Sequence, residues 1–354
     1  MKNESMKERF QAVKSFFARK NQSEYQVRSE NHVNRKVFWA IVQKEFTDYV
    51  TSWRIIILLA IILLTCVGSL YTAITSIEEA LKASEEAQAI ARDLYLYVQM
   101  FTISDGTLPN FISFVGFLGP LLGVALGFDA INSERNKGTL SRLMAQPIPR
   151  DYVINGKFVA AVLLNILLFF SLGLLVMAFG ILILGVPPTF DEFLRVICFL
   201  IVCIVYIAFW LNLGILFSIV FRQPATSALA GLAVWLFFIM FYQMIIEMLT
   251  KSYLDPTAVA SEIEWVSRQE VVLSLMRLSP NYLFSESTIA LLSPAIRTLG
   301  PYTYEQTLGQ VASPLQLDQS LLIIWPQCTG LIAGTLICFT IAYLLFTRQE
   351  IRSN

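Results

Sequence analysis

Charge is what this sequence has least of. Asp, Glu, Lys and Arg make up 15% of its 354 residues and hydrophobic residues 56%, whereas roughly 25% of residues are charged in ordinary soluble domains. Too little charge remains to coat a soluble surface. Basic and acidic residues balance at 26 each, so there is no cationic excess to meet the phosphates of a nucleic acid, and no such partner is expected.

Histidine is almost missing, with His32 alone in the N-terminal segment. Acid–base, nucleophilic and metal chemistry need clustered His, Asp, Glu or Cys, so no catalytic or metal site is expected. The phosphate loop G-x-x-x-x-G-K-[ST] is absent as well. The chain is therefore not expected to hydrolyse ATP alone, and a partner must supply the energy for any work it does. The five cysteines all fall in apolar runs and show neither a zinc spacing nor a disulfide framework. No apolar core of 7 to 15 residues follows the N-terminal charges, which excludes a cleavable signal peptide. Residues 1–32 have two open readings, a surface-lying amphipathic helix built on Phe10, Val13, Phe16 and Phe17, or a mobile tail.

Long charge-free runs, by contrast, are plentiful. A bilayer core about 30 Å thick needs on the order of 20 apolar residues in a helix. Six runs qualify: Ile55–Ala73, Phe111–Phe128, Phe158–Thr189, Val196–Phe221, Pro224–Ile246 and Gln319–Thr347. The fold class is all-α, a polytopic membrane protein with six transmembrane helices. Counting alternate connections, an inside N-terminus leaves 19 of the 26 Lys and Arg on the cytoplasmic side and 7 outside. The positive-inside rule therefore puts both termini in the cytoplasm.

No run has an ionisable residue near its middle, as proton relays do. Polar side chains do occur there, including Asn165 and Asn212. Each either lines a pathway or hydrogen-bonds a neighbouring helix.

Ahead of the first run, Val37, Phe38, Ile41, Val42, Phe46 and Tyr49 recur at helical spacing, which suits an N-terminal interfacial helix turning inward at Ser52–Arg54. Between the second and third runs, Gly138 breaks a helix and Thr139 is placed to cap a new one. On that short helix Leu140, Leu143 and Met144 share a face, with Arg142 off it. Pro147 and Pro149 end it, and Asp151 is placed to cap the third span. So short a helix needs something to dock on, either the chain's own helix ends or a soluble partner.

These residues resemble the ABC-2 type permeases, in the branch that includes the nitrous-oxide-reductase maturation permease. The likeness is carried by Lys44-Glu45-Phe46 with Ser52-Trp53-Arg54, by Phe128 to Arg135, Gly138-Thr139-Leu140, Gln146 to Arg150 and Gly156-Lys157. Leu278-Ser279-Pro280, Leu291 to Pro294 and Phe346 to Ile351 extend it. The resemblance implies residues 33–354 as one transmembrane domain, with spans about 55–75, 111–130, 158–186, 196–221, 224–247 and 320–346. Segments 76–110 and 248–318 are then extracytoplasmic, and 78–94 reads as a helix projecting from the first span.

It also implies a permease subunit of an exporter in the cell membrane, paired with a second permease subunit, identical or not, above a dimer of cytoplasmic ABC ATPase subunits that bind ATP and Mg. This chain itself holds no cofactor. The resemblance makes Thr139 to Gln146 the coupling helix, with Glu134 and Arg135 flanking the contact and Thr139, Leu140, Arg142, Leu143 and Met144 forming it. Asn165 and Asn212 are the candidates for a translocation pathway. The outer segments gate an exit, bind an extracytoplasmic protein or cover the dimer. The rival reading is a membrane scaffold or sensor that recruits a soluble protein and moves nothing.

Overall fold

The computed structural model describes residues 35–82, 95–145, 148–185, 187–251, 253, 262–300 and 314–348. Among them there is no β-strand, and six helices are long and apolar enough to cross a bilayer. The projecting helix expected over 78–94 is described only to Lys82, as the end of the helix that carries the first span, and its remainder lies outside the described residues, as do the 1–32 tail, Gln146 and Pro147.

In chain order, helix α1 covers 35–51 and breaks at Ser52. Then come α2 (Trp53–Lys82), α3 (Leu96–Thr102), α4 (Phe111–Gly127), α5 (Asn132–Asn136), α6 (Thr139–Met144), α7 (Arg150–Leu184) and α8 (Phe190–Val220). The fifth span is composite, α9 (Pro224–Leu236), a π-helical stretch Phe237–Tyr242, and α10 (Gln243–Thr250). Helices α11 (Glu262–Met276), α12 (Pro280–Leu292) and α13 (Leu317–Arg348) complete the chain. One end of the bundle, called the near end below, holds α1, α5, α6 and the start of α7. The opposite end is the far end.

Local chemistry sets the boundaries. Helix α8 opens on a reciprocal capping box, in which Thr189 Oγ1 accepts from Glu192 N (3.3 Å) while Glu192 Oε2 accepts from Thr189 N (2.9 Å). Gly185 ends α7 at φ 67°, a left-handed value that suits glycine. Asp151 does not cap α7 as expected. Pro149, in an extended conformation, is the residue before the helix, and Asp151 lies in the first turn, where a carboxylate meets the positive end of the helix dipole.

Helix α8 is the hub, its side chains buried along most of its length. Helix α4 crosses it with the backbones almost touching. A Cβ on Gly123 would stand 2.7 Å from Ile207 O, and one on Gly127 would stand 2.5 Å from Leu211 O. Gly214 answers from α8, with room for a Cβ only 3.1 Å from Gly127 Cα. In lipid, where apolar burial adds little to helix association, such small-residue contacts let backbones pack closely.

The segment after α10 departs from the sequence expectation. Not all of 248–318 lies beyond the spans, because α11 and α12 form a hairpin that runs back down the bundle. Tyr242 Oη donates to Leu275 O (2.6 Å), which fixes α11 beside the fifth span. Tyr206, mid-way along α8, shares its hydroxyl between Asn281 Oδ1 (2.9 Å) and Gly116 O (3.0 Å), and its ring stacks on Phe284 at 4.2 Å. The hairpin tip therefore sits deep between α4 and α8.

Ion pairs and hydrogen bonds to two arginines hold the hairpin. Arg277 grips Glu286 with two bonds of 2.8 and 2.9 Å, and Gln327 of α13 donates to the same carboxylate at 3.1 Å. Nearer the far end, the fully buried Arg195 donates to Asp191 (2.6 Å), Leu291 O (2.8 Å), Leu315 O (2.6 Å) and Ser320 Oγ (3.0 Å). One guanidinium thus satisfies a carbonyl in the last turn of α12 and another on the approach to α13.

Candidate functional site

The largest assembly of charge among the described residues is at the near end, where α1 lies across the first turns of α7. Phe38 meets Tyr152 edge to face at 5.6 Å. One turn on, the helices close to the point that a Cβ on Gly156 would stand 2.8 Å from Ile41 Cγ2. That contact delivers Glu45 of α1 to Lys157 of α7.

Lys157 Nζ lies 2.8 Å from Glu45 Oε2 and 2.9 Å from Glu134 Oε1 of α5. Its side chain is 4% exposed, Glu45's 8% and Glu134's 18%. Lys44, at the rim, adds contacts to Glu45 (2.8 Å), Asp48 (3.0 Å) and Glu134 (3.6 Å). Two cations thus face three carboxylates, and α1, α5 and α7 meet on one buried ammonium.

The charges set each other's protonation. Burial works against an ionised Glu45, but Lys157 and then Lys44 more than offset it, and the carboxyl is held below its ordinary value. Burial also opposes the charge on Lys44, yet Glu45, Asp48 and Glu134 together raise its pKa above the usual lysine value. Across neutral pH both stay ionised.

The link from α4 to the short helices is pinned separately. Ser218 Oγ of α8 accepts from the backbone N–H of Ile131 (2.9 Å) and of Asn132 (3.1 Å), two amides that the start of α5 would leave orphaned. Tyr49 Oη donates to Leu126 O (3.3 Å). Arg54 Nη2 pairs with Asp129 Oδ2 at 2.6 Å, and its guanidinium lies 5.3 Å from the centre of the Phe128 ring. Asn136 Nδ2 donates to Arg222 O between α8 and α9 (3.2 Å). The α5–α6 element is therefore tied to α1, α7 and the α8–α9 turn, and the segment leading into it to α2.

The residues singled out in the short helix occupy different positions from those their spacing suggests. Thr139 is not the cap. Gly138 precedes the helix at φ 68°, with no side chain to accept a bond, and Thr139 is the first helical residue, its hydroxyl donating to Glu134 O (3.2 Å). Leu140 is 1% exposed and Leu143 packs partly buried against the same core. The apolar face of α6 is thus used to seat the helix on its own bundle, while Thr139 and Arg142 face outward. Arg135 is half-buried near Arg222. Nothing is described of the Met144 side chain.

Asn165 and Asn212 are not brought together with this cluster. Asn165 is fully buried on α7, and neither amide atom has a protein partner. Asn212 is fully buried on α8 and donates through Nδ2 to Thr335 O of α13 (3.2 Å). Among the described residues no group of His, Cys, Asp and Glu is placed to hold a metal.

Sequence reasoning missed the pairing at the centre of the site. A signal existed, because Glu45 falls between Ile41, Val42, Phe46 and Tyr49 on the apolar side of α1. A carboxylate there requires a buried cation. Its partner at Lys157, 112 positions on, could not be read from periodicity.

Six apolar spans, with the densest charge gathered at one end of the bundle, define a multi-pass α-helical membrane protein. The pattern of the ABC-2 family transporter proteins matches residues 39–351, and the chain belongs to that family. It is also similar to the probable ABC transporter permease protein NosY of Stutzerimonas stutzeri, at 28% identity over 154 residues, covering 41% of this chain and 53% of that protein. The chain thus spans about half the length of that curated relative.

Proposed function

We propose that the chain is the permease subunit of an ATP-driven exporter of the cell membrane, with both termini and the near end in the cytoplasm, and that the α5–α6 element is the peg through which a separate ATPase dimer drives it. Family membership and the relative's name support the permease role, and the excess of Lys and Arg at the near end supports the orientation. The observation that carries the coupling reading is Lys157 between Glu45 and Glu134. A peg cemented to α1 and α7 by a buried ion cluster cannot tilt alone. Displacing it moves the start of α7, while Arg54–Asp129 and Ser218 pass the displacement to α2 and α8 as a rigid-body shift.

In this reading Arg142 and Thr139 contact the ATPase, with Arg135 and Glu134 beside them, while Leu140 and Leu143 back the peg from inside. ATP and Mg bind in the partner. A second permease subunit, identical or not, completes the transporter. Asn165 and Asn212 are the pathway residues of this proposal. The test is solute export from vesicles holding the chain and its ATPase. Export that requires ATP supports the permease reading, whereas a complex that forms but moves nothing supports a recruiting scaffold.

A further inference from the structure

A cavity of about 430 Å³ opens near the near end between α1, α7, α8 and α13. Four aromatic residues, Phe38, Tyr152, Phe158 and Phe339, line it, with Asn155 among the other lining residues. The Phe158 and Phe339 rings lie 5.1 Å apart, and Leu336, another lining residue, is 59% exposed, so the cavity opens on the side of the bundle. Its volume falls within the range of about 300–1,000 Å³ typical of small-molecule sites, and such sites combine apolar walls with a few placed polar groups. No lining residue carries a charge.

The placed polar group is Asn212. Its amide orientation is fixed by chemistry, because the Thr335 carbonyl 3.2 Å away can only accept, so the nitrogen must face it. The oxygen, Oδ1, is then left buried with no protein donor, on a residue that lines the cavity. A carbonyl oxygen in such a place is costly without a hydrogen bond. Lipid acyl chains have no donor to give it. An ion is equally unsuited, since the wall has no opposite charge to offset the loss of its hydration.

We propose that this cavity binds a small, uncharged, lipid-soluble molecule with an aromatic body and one hydroxyl donor, the hydroxyl on Asn212 Oδ1 and the ring packed against the Phe158–Phe339 pair. The site belongs to the chain alone and is independent of ATP, so its test does not depend on the transport reading. The probes are 4-(hydroxymethyl)benzophenone and 4-methylbenzophenone, which match in size and photochemistry and differ in the hydroxyl. The full chain in lipid nanodiscs is irradiated with each, and the adducts are mapped by peptide mass spectrometry.

The expected result is labelling within 152–159 and 335–339, about tenfold greater for the hydroxymethyl probe, the preference that a single buried hydrogen bond confers. In Asn212→Leu, labelling by the hydroxymethyl probe falls to the level of the methyl probe. Equal labelling of the wild type by both probes, as a water on Oδ1 would produce, overturns the proposal, as does labelling confined to other lipid-facing positions. The wild-type comparison decides the matter even if the variant fails to fold.

Discussion

Lys157 reaches Glu45 across 112 positions of sequence, Nζ to Oε2 at 2.8 Å, and closes with Glu134 a buried triad that binds three helices to one another. Replacing the lysine while leaving the carboxylates in place should therefore harm more than deleting the whole group. Removing one partner of a buried pair typically costs about 3–5 kcal/mol, because the charge left behind stays unpaired. Lys157→Met is expected to lower the thermal midpoint of the purified chain by several degrees, and adding Glu45→Gln and Glu134→Gln should restore part of the loss. A single variant as stable as the wild type would show that the triad contributes nothing.

Acid and base should act on this cluster from opposite sides. Glu45 has a folded pKa depressed below its ordinary 4.5, so its contribution is complete above that value and lost as pH falls through the folded pKa. Lys44 has one raised above 10.5, so its contribution is complete below that value and lost as pH rises through the folded pKa. Thermal stability measured against pH should show a plateau between about pH 5 and pH 10. In Glu45→Gln the decline on the acid side should flatten.

The close crossing of α4 and α8 makes a separate prediction. Any side chain at Gly127 meets the Leu211 carbonyl, a backbone group that cannot rotate away. Gly127→Val should force the helices apart at a cost of about 1–3 kcal/mol or more, as overpacking does. Chymotrypsin digestion of membranes should cut this variant sooner than the wild type. Ile57→Val, on the exposed side of α2, serves as the neutral comparison.

The peg should divide cleanly between its two faces. Leu140→Asp puts a carboxylate against the chain's own core and is expected to lower stability by several kcal/mol, as burying an unpaired charge does. Arg142→Glu changes an outward-facing side chain, so melting should stay within about 0.5 kcal/mol of the wild type while co-purification with the ATPase falls. Reduced association with unchanged stability in Arg142→Glu would separate docking from folding. Loss of both in that variant would contradict the outward placement.

Much of the architecture is legible in the sequence because membrane spans announce themselves. Charge-free runs mark six long apolar helices, although helix ends and run ends do not coincide, since α7 starts earlier, at Arg150, and stops at Leu184, before its run does. What is not legible depends on partners distant in sequence. Arg195 reads as a loop charge between two spans, yet it is fully buried and bonds four groups, on α8, α12, α13 and the approach to α13. Asn281 gives no local sign that the hairpin tip descends to Tyr206. Leu140 and Leu143 are apolar at helical spacing whether they face a partner or the core, so periodicity alone could not choose.

Movement of the chain through the peg by a separate ATPase is the proposal on which the rest depends. Its most direct test is purification of the chain from its native membrane in mild detergent, followed by ATP hydrolysis and ATP-dependent export in reconstituted vesicles. A co-purifying nucleotide-binding subunit is expected, with export only when that subunit and ATP are present, and with export lost but ATP hydrolysis retained in Lys157→Met. Uphill export by the chain alone, without ATP or any companion subunit, would contradict it.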